Sequence, residues 1–196
     1  MDLLLATRNA HKTREIQRIL GPAFAVRDLS AYPEIPQTIE DGKTFEENAV
    51  LKATAASNEL QGLIMADDSG LEVDALGGAP GIYSARYAGR NATDKQNIDK
   101  LLSELARTGR TSGDQGSARF RCVLALARGG EVLGTFEGIV DGTILHLPRG
   151  NGGFGYDPVF LPTGLDKTFG ELAPAEKDRL SHRARALEKL RAHLSS

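Results

Sequence analysis

The chain has 196 residues, 40% of them hydrophobic and 26% charged, and its 24 basic and 26 acidic residues leave a formal net charge of −2. That length suffices for one substantial core or two lobes of a single domain, and the balanced charge excludes a global field that would draw nucleic acid or an anionic membrane. One cysteine, Cys122 inside the apolar run FRCVLALA, excludes a disulfide framework and a cysteine-based metal site, and reads as a small core residue.

In chain order, residues 3–6 read as a short buried strand; this apolar run is too short for a secretion signal or a membrane span, so a cytoplasmic protein without a membrane partner is expected. In NAHKTREIQRIL, Ile16, Ile19 and Leu20 recur at helical spacing. FAVRDL, residues 24–29, is a second strand, and Pro33 and Pro36 make residues 30–43 a loop whose end carries Glu40 and Asp41. Thr44 with Glu47 forms a capping-box pattern for a helix running to about residue 60. GLIMADD is the next strand, expected to stop on Asp67 and Asp68. Thr93 with Gln96 opens another helix, with Ile98, Leu101, Leu102 and Leu105 as its buried stripe. TGRTSGDQGS, residues 108–117, is Gly/Ser-rich and expected to be an exposed loop. From Arg119 the alternation is strand-like, with Gly129-Gly130 as a hairpin turn, EVLGTFEGIV returning and Asp141-Gly142 as a second turn. Strand-helix units first, a hairpin later and a helix last predict an α/β fold with a mixed sheet and helices on its faces. No repeat or long linker divides residues 1–196, which read as one domain.

Four segments could carry chemistry. TRNAHK, residues 7–12, joins a strand to a helix; unpaired N–H groups there suit an anion, with Thr7, Asn9 and Lys12 adding polar groups and a cation. An Asn9 cap beside a solvated lysine fits the same residues, and the glycine framework of a P-loop is missing. Asp67 and Asp68 stand where ligands gather in open α/β sheets, and one or two carboxylates are what Mg²⁺ needs beside a phosphate. Strand alternation allows only one of the two to face a given cleft, and a plain Asp-Ser-Gly turn is the competing reading. In RGNGGFGYDP, residues 149–158, glycines around Phe154 and Tyr156 allow close approach to a flat base, or make a tight connection. Finally, EKDRLSHRARALEKLRAHL is one basic helix that turns His182 to solvent, or two pieces with Ser181 capping the second, which places His182 and Arg183 in a first turn and Lys177 on a preceding turn.

Together, LATRNAHKTREI, TFEENAVLKA, ADDSGLEVDALGGAPGIYSARYAG, GGFGYDPVF and ELAPAEKDRLSHRARAL resemble, in the same order and over residues 5–187, the ITPase-like non-canonical purine nucleoside triphosphate pyrophosphatases, also called dITP/XTP pyrophosphatases. The resemblance implies Mg²⁺-dependent hydrolysis of ITP, dITP and XTP between the α and β phosphates, yielding the monophosphate and pyrophosphate. It also implies an elongated two-lobed fold with the active-site cleft between the lobes, and a homodimer. By the same resemblance Thr7, Arg8, Asn9, Ala10, His11 and Lys12 receive the triphosphate, helped by Lys52. Glu40 and Asp68 hold the metal, with Asp41 and the acids of FEEN as neighbouring candidates for the first position. Asp68 is also the general base, and Ser69 touches the nucleotide. Phe154 stacks on the purine, with Gly155, Tyr156, Asp157, Lys177, His182 and Arg183 completing the base pocket. A 6-oxo purine offers an acceptor where adenine offers a donor, so donors at His182 and Arg183 discriminate between them. A Maf-like pyrophosphatase of pyrimidine or modified nucleotides is the competing enzyme, against which GGFGYDP followed by SHR argues. A nucleotide-binding module without turnover is the competitor from another class.

Overall fold

A computed structural model describes residues 1–109 and 116–195. The strands are β1 (Asp2–Leu5), β2 (Ala25–Asp28), β3 (Ile64–Val73), β4 (Ser117–Arg128), β5 (Glu131–Ile144) and β6 (Phe160–Pro162). The α-helices are α1 (Ala10–Leu20), α2 (Phe45–Glu59), α3 (Asp94–Arg107), α4 (Pro174–Leu180) and α5 (His182–Leu194). The strands form one mixed sheet in the order β2-β1-β3-β4-β5-β6. β1 runs parallel to both β2 and β3, because α1 and α2 supply the crossovers that parallel strands need. β6 runs antiparallel to β5. This is the expected α/β class.

Two compact units divide the chain: Met1–Asp68 with Cys122–Gly138 and Ser181–Ser196, and Ser69–Arg121 with Ile139–Leu180. Each has its own core. In the first, Leu3, Leu5 and Met65 of the sheet meet Ile16 and Leu20 of α1 and Leu187 and Leu190 of α5. Cys122 is buried in that core, as its apolar setting predicts. In the second, Leu71 and Val73 meet Ile98 and Leu101 of α3 together with Phe120, Phe160 and Phe169. Those three rings pack with centroids 4.6 to 5.9 Å apart, the spacing that tilted and offset aromatic pairs favour. Gly138 on β5 admits the start of α5: a Cβ there would stand 2.0 Å from the His182 carbonyl oxygen and 2.6 Å from the Ala186 nitrogen.

Two expected chain breaks are absent. β3 does not stop on its acids but runs through Asp67, Asp68, Ser69 and Gly70 to Val73. Turn-forming residues are overridden because Leu71 and Val73 beyond them are fully buried and cations neutralise the carboxylates. Likewise β5 passes straight through Asp141-Gly142, where Gly142 pairs with Pro162 of β6. The Gly129-Gly130 turn joins β4 to β5 as expected. Of the expected loop at 108–117, Ser117 already belongs to β4, and residues 110–115 lie outside the described residues.

The capping signals hold. Thr93 and Gln96 form a complete capping box. Thr44 caps α2 by accepting from the Glu47 N–H, while the Glu47 carboxylate reaches past it to the Lys43 N–H at 2.6 Å. Ser181 accepts from the Ala184 N–H and separates α4 from α5, so the basic C-terminal segment is two helices.

Candidate active site

In the first unit, β1, α1, α2 and β3 bring the acids and lysines of three motifs together. The Asn9 side chain caps α1, accepting from the His11 and Lys12 N–H groups at 2.9 and 3.2 Å. That cap starts the helix where Lys12 can turn back onto β3, and its Nζ donates to Asp67 Oδ1 at 2.5 Å. Thr7 is half-buried and its hydroxyl accepts from the Asn9 N–H, Ala10 and His11 are exposed, and the Arg8 guanidinium donates to the Tyr32 and Ile35 carbonyls. Arg8 therefore ties the proline loop to the end of β1. A pocket of about 140 Å³ opens beside it, lined by Thr7, Arg8, Gln37, Thr38, Glu40 and Lys52 among others.

Adjacent strand residues point to opposite faces, and the two acids separate accordingly. Asp67 is buried, holding Lys12 on one oxygen and, on the other, the Arg183 Nε at 2.8 Å and the Cys122 thiol at 3.2 Å. Arg183 in turn lies 3.2 Å from Glu15, and both are almost fully buried. Asp68 instead accepts from Lys52 Nζ at 2.7 Å, and that ammonium also lies 3.5 Å from Glu40. One lysine thus bridges two carboxylates, of which Glu40 lines the pocket with it. Of the neighbouring candidates, Glu46 accepts from the Thr135 hydroxyl, Glu47 caps Lys43, and Asp41 is exposed.

The surroundings set the charge states. Burial opposes ionisation of Asp67, but the charges of Arg183 and Lys12 outweigh it and hold the carboxyl well below the usual range. Burial would also lower Lys12, yet the Asp67 charge keeps it above its ordinary value. For Asp68 burial dominates and Lys52 only partly offsets it, so its pKa is raised. Cys122 is pushed well up by burial and by the Asp67 charge, and is a poor nucleophile.

The depressed Asp67 value predicts a pH effect on folding. The unfolded carboxyl takes up its proton near pH 4, the folded one only at lower pH, so this contribution is complete above about pH 5 and is lost as pH falls through the folded value. Urea midpoints below pH 4 are expected to fall more steeply for the wild type than for Asp67→Asn; parallel profiles would contradict the ion network.

Ser69 is half-buried at the start of the second unit. Deeper in that unit, Asp157 Oδ2 accepts from the Phe154 N–H at 2.8 Å and from Lys177 Nζ at 2.6 Å. The Lys177 ammonium lies 4.9 Å from the centre of the half-buried Phe154 ring, a cation–π distance. Gly155 donates its N–H to Asp94 at 2.7 Å. Tyr156 is buried in the core and donates its hydroxyl to the Ser84 carbonyl. Of the residues expected at a base pocket, Phe154, Gly155, Asp157 and Lys177 thus make one local cluster, and Tyr156 braces it from within. His182 and Arg183 belong to the first unit, where both are buried and Arg183 pairs with Asp67 and Glu15.

Sequence reasoning missed three residues. Glu15 lies beside the apolar stripe of α1, the only hint that it is buried. Asn48, fully buried, accepts from the Gly42 N–H at 2.9 Å and so fixes the loop just after Glu40. Asp94 was legible only as a first-turn acid of α3.

Among the described residues no group of three or more His, Cys, Asp or Glu side chains gathers to hold a metal, and no helix is long and apolar enough to cross a membrane. A two-carboxylate site remains: Asp68 Oδ2 is buried without a hydrogen-bond partner among the described residues, while Oδ1 shares Lys52 with Glu40. An orphaned carboxylate oxygen of this kind fits a hard cation that also takes oxygens from a phosphate and water.

Known proteins resemble this chain over nearly its whole length. A dITP/XTP pyrophosphatase of Geobacillus kaustophilus is 50% identical over 190 residues, covering 96% of this chain and 92% of that protein. One from Bacillus subtilis is 47% identical, covering 96% and 94%. The structure of a HAM1 protein from Coxiella burnetii superimposes with a TM-score of 0.87 at 39% identity, covering 100% of this chain and 98% of that one. The Staphylococcus aureus Ham1 protein gives 0.85 at 41% identity, with the same coverage. The family model matched by residues 3–193 agrees with both kinds of relative, and the chain belongs to the Ham1 family.

Proposed function

We propose that this protein is a pyrophosphatase of non-canonical purine nucleoside triphosphates, hydrolysing ITP, dITP and XTP to the monophosphate and pyrophosphate and so clearing them from the nucleotide pool. The observation that carries the reading is Asp68: a buried carboxylate with one oxygen on Lys52 and the other without a hydrogen-bond partner among the described residues. The relatives named dITP/XTP pyrophosphatase support the substrate class.

In this reading the triphosphate is received by the N–H groups and side chains of residues 7–12 and by the ammonium groups of Lys12 and Lys52. Attack of water on an already anionic phosphorus is slow, and positioned cations lower its barrier. Asp68 orients the water and takes its proton as the general base. Glu40 and Asp68 would hold Mg²⁺, whose chemistry is to polarise the phosphoryl oxygens and offset their charge. Ser69 contacts the nucleotide, and the purine stacks on Phe154, whose ring Lys177 and Asp157 hold. His182 contributes a donor to the 6-oxo group, and Arg183, held by Asp67, stiffens the turn that presents it. A homodimer in the cytoplasm, acting on free nucleotides rather than on nucleic acid or membranes, completes the proposal.

The test is pyrophosphate release from ITP, XTP, GTP, ATP and dTTP, with Mg²⁺ and with chelator. The expected result is Mg²⁺-dependent release from ITP and XTP at kcat/KM values at least about 100-fold above that for ATP, since a site built for an acceptor rejects a donor. Binding of ITP without release would favour a non-catalytic module, and dTTP as the best substrate would favour pyrimidine chemistry.

A further inference from the structure

The Phe154 ring sits in a loop rich in glycine, with Gly150, Gly152, Gly153 and Gly155 around it, and the Gly152 N–H ties the start of that loop to the Gly170 carbonyl at 2.9 Å. Glycine-rich backbone samples many conformations, so a ring on such a loop meets a ligand well only if something outside the loop fixes it. Two consecutive amide groups add handles at the ring itself. The Phe154 N–H is taken by Asp157 within the loop, and Asp157 is itself buried and held by Lys177. The next amide, that of Gly155, is taken by the Asp94 carboxylate at 2.7 Å, 61 positions away in sequence.

Asp94 is well placed to be such an external anchor. It is the first residue of α3, directly after Thr93, whose reciprocal bonds with Gln96 lock the backbone on which Asp94 stands. Ile98 and Leu101 then bury α3 in the core of the same unit. An acid in a first helical turn is ordinarily explained by the helix dipole. That explanation accounts for the charge but not for a bond to the peptide next to Phe154.

We propose that Asp94 is a positioning residue: by holding the Gly155 amide it fixes the Phe154 ring for the base of the substrate before the base arrives. This rests on the reading that Phe154 stacks on the purine. A preorganised ring loses less conformational freedom on binding, so the effect belongs to substrate affinity rather than to the chemical step.

The experiment compares Asp94→Ala, Asp94→Asn and Phe154→Leu in the full chain, by steady-state kinetics on ITP with saturating Mg²⁺ and by thermal melting. Loss of a charge-assisted hydrogen bond in Asp94→Ala should raise KM roughly five- to tenfold with kcat within about twofold of wild type. Asp94→Asn keeps an acceptor oxygen and should restore KM to near the wild-type value. A lowered melting temperature with unchanged KM in Asp94→Ala would mean that the acid serves only α3, and would overturn the proposal. If Phe154→Leu raises KM while Asp94→Ala does not, the positioning role fails and the purine reading stands. If Phe154→Leu leaves KM unchanged, the purine reading fails and takes the positioning role with it.

Discussion

Asp68→Asn should lower the turnover of ITP by about 10³-fold, the scale on which removal of a general base acts, while nucleotide still binds. The substitution keeps the size of the side chain and an acceptor for Lys52, so the change falls on the oxygen that has no hydrogen-bond partner among the described residues. Folding is not expected to suffer. Burial raises the pKa of Asp68, so its charged form is the less comfortable one in the folded protein, and neutral Asn removes that cost. The wild type should also lose activity on the acid side once Asp68 takes up a proton, because only the ionised carboxylate accepts one. Rapid-quench turnover and equilibrium ITP binding, both across pH, check the two parts together. Turnover within tenfold of wild type would remove Asp68 from the base role.

Arg183→Ala is expected to act on stability. The guanidinium lies between Asp67 and Glu15, and all three side chains are almost completely buried. Removing one member of a buried ion network takes compensating charge from its partners, at a cost of about 3–5 kcal/mol. Asp67 keeps Lys12, whereas Glu15 loses the Arg183 charge 3.2 Å away. Adding Glu15→Gln to Arg183→Ala should therefore recover stability, and Glu15→Gln alone should cost less than Arg183→Ala does. Urea unfolding of the four proteins measures this. A loss below about 1 kcal/mol in Arg183→Ala, the range of exposed pairs, would contradict the buried network. Once the folded fraction is accounted for, any loss of ITP turnover beyond that of ATP reports a separate part in reading the base.

Local signals in the sequence were read correctly where short-range physics decides. Thr93 with Gln96, Ser181 and Asn9 each cap the helix that their spacing implied. The opposed directions of Asp67 and Asp68 followed from strand alternation alone. What misled was turn chemistry read without partners. Asp-Asp-Ser-Gly and Asp-Gly both look like chain breaks, yet each lies inside a long strand because distant segments supply what those residues need. For Asp67 and Asp68 these are Lys12, Lys52 and Arg183, separated in sequence by up to 116 positions. Glu15 and Asp94 stayed hidden for the same reason: one looks like a surface acid and the other like a helix-dipole acid until the fold brings Arg183 and Gly155 to them. The family resemblance reached the candidate site because it carries such long-range pairings implicitly, as the order of motifs, although it says nothing of which atoms they join.

Gly138 bears on how a mutational scan of this chain should be interpreted. It has no side chain to offer a substrate and no part in the proposed chemistry, yet the backbone of His182 and Ala186 leaves no room for even one added carbon. Any replacement must displace the first turn of α5, and with it the Arg183 anchor that steadies Asp67 and, through it, Lys12. Intolerance at position 138 would therefore mimic the signature of an active-site residue, and only melting curves beside the activity data would separate a crowded backbone from a reacting group.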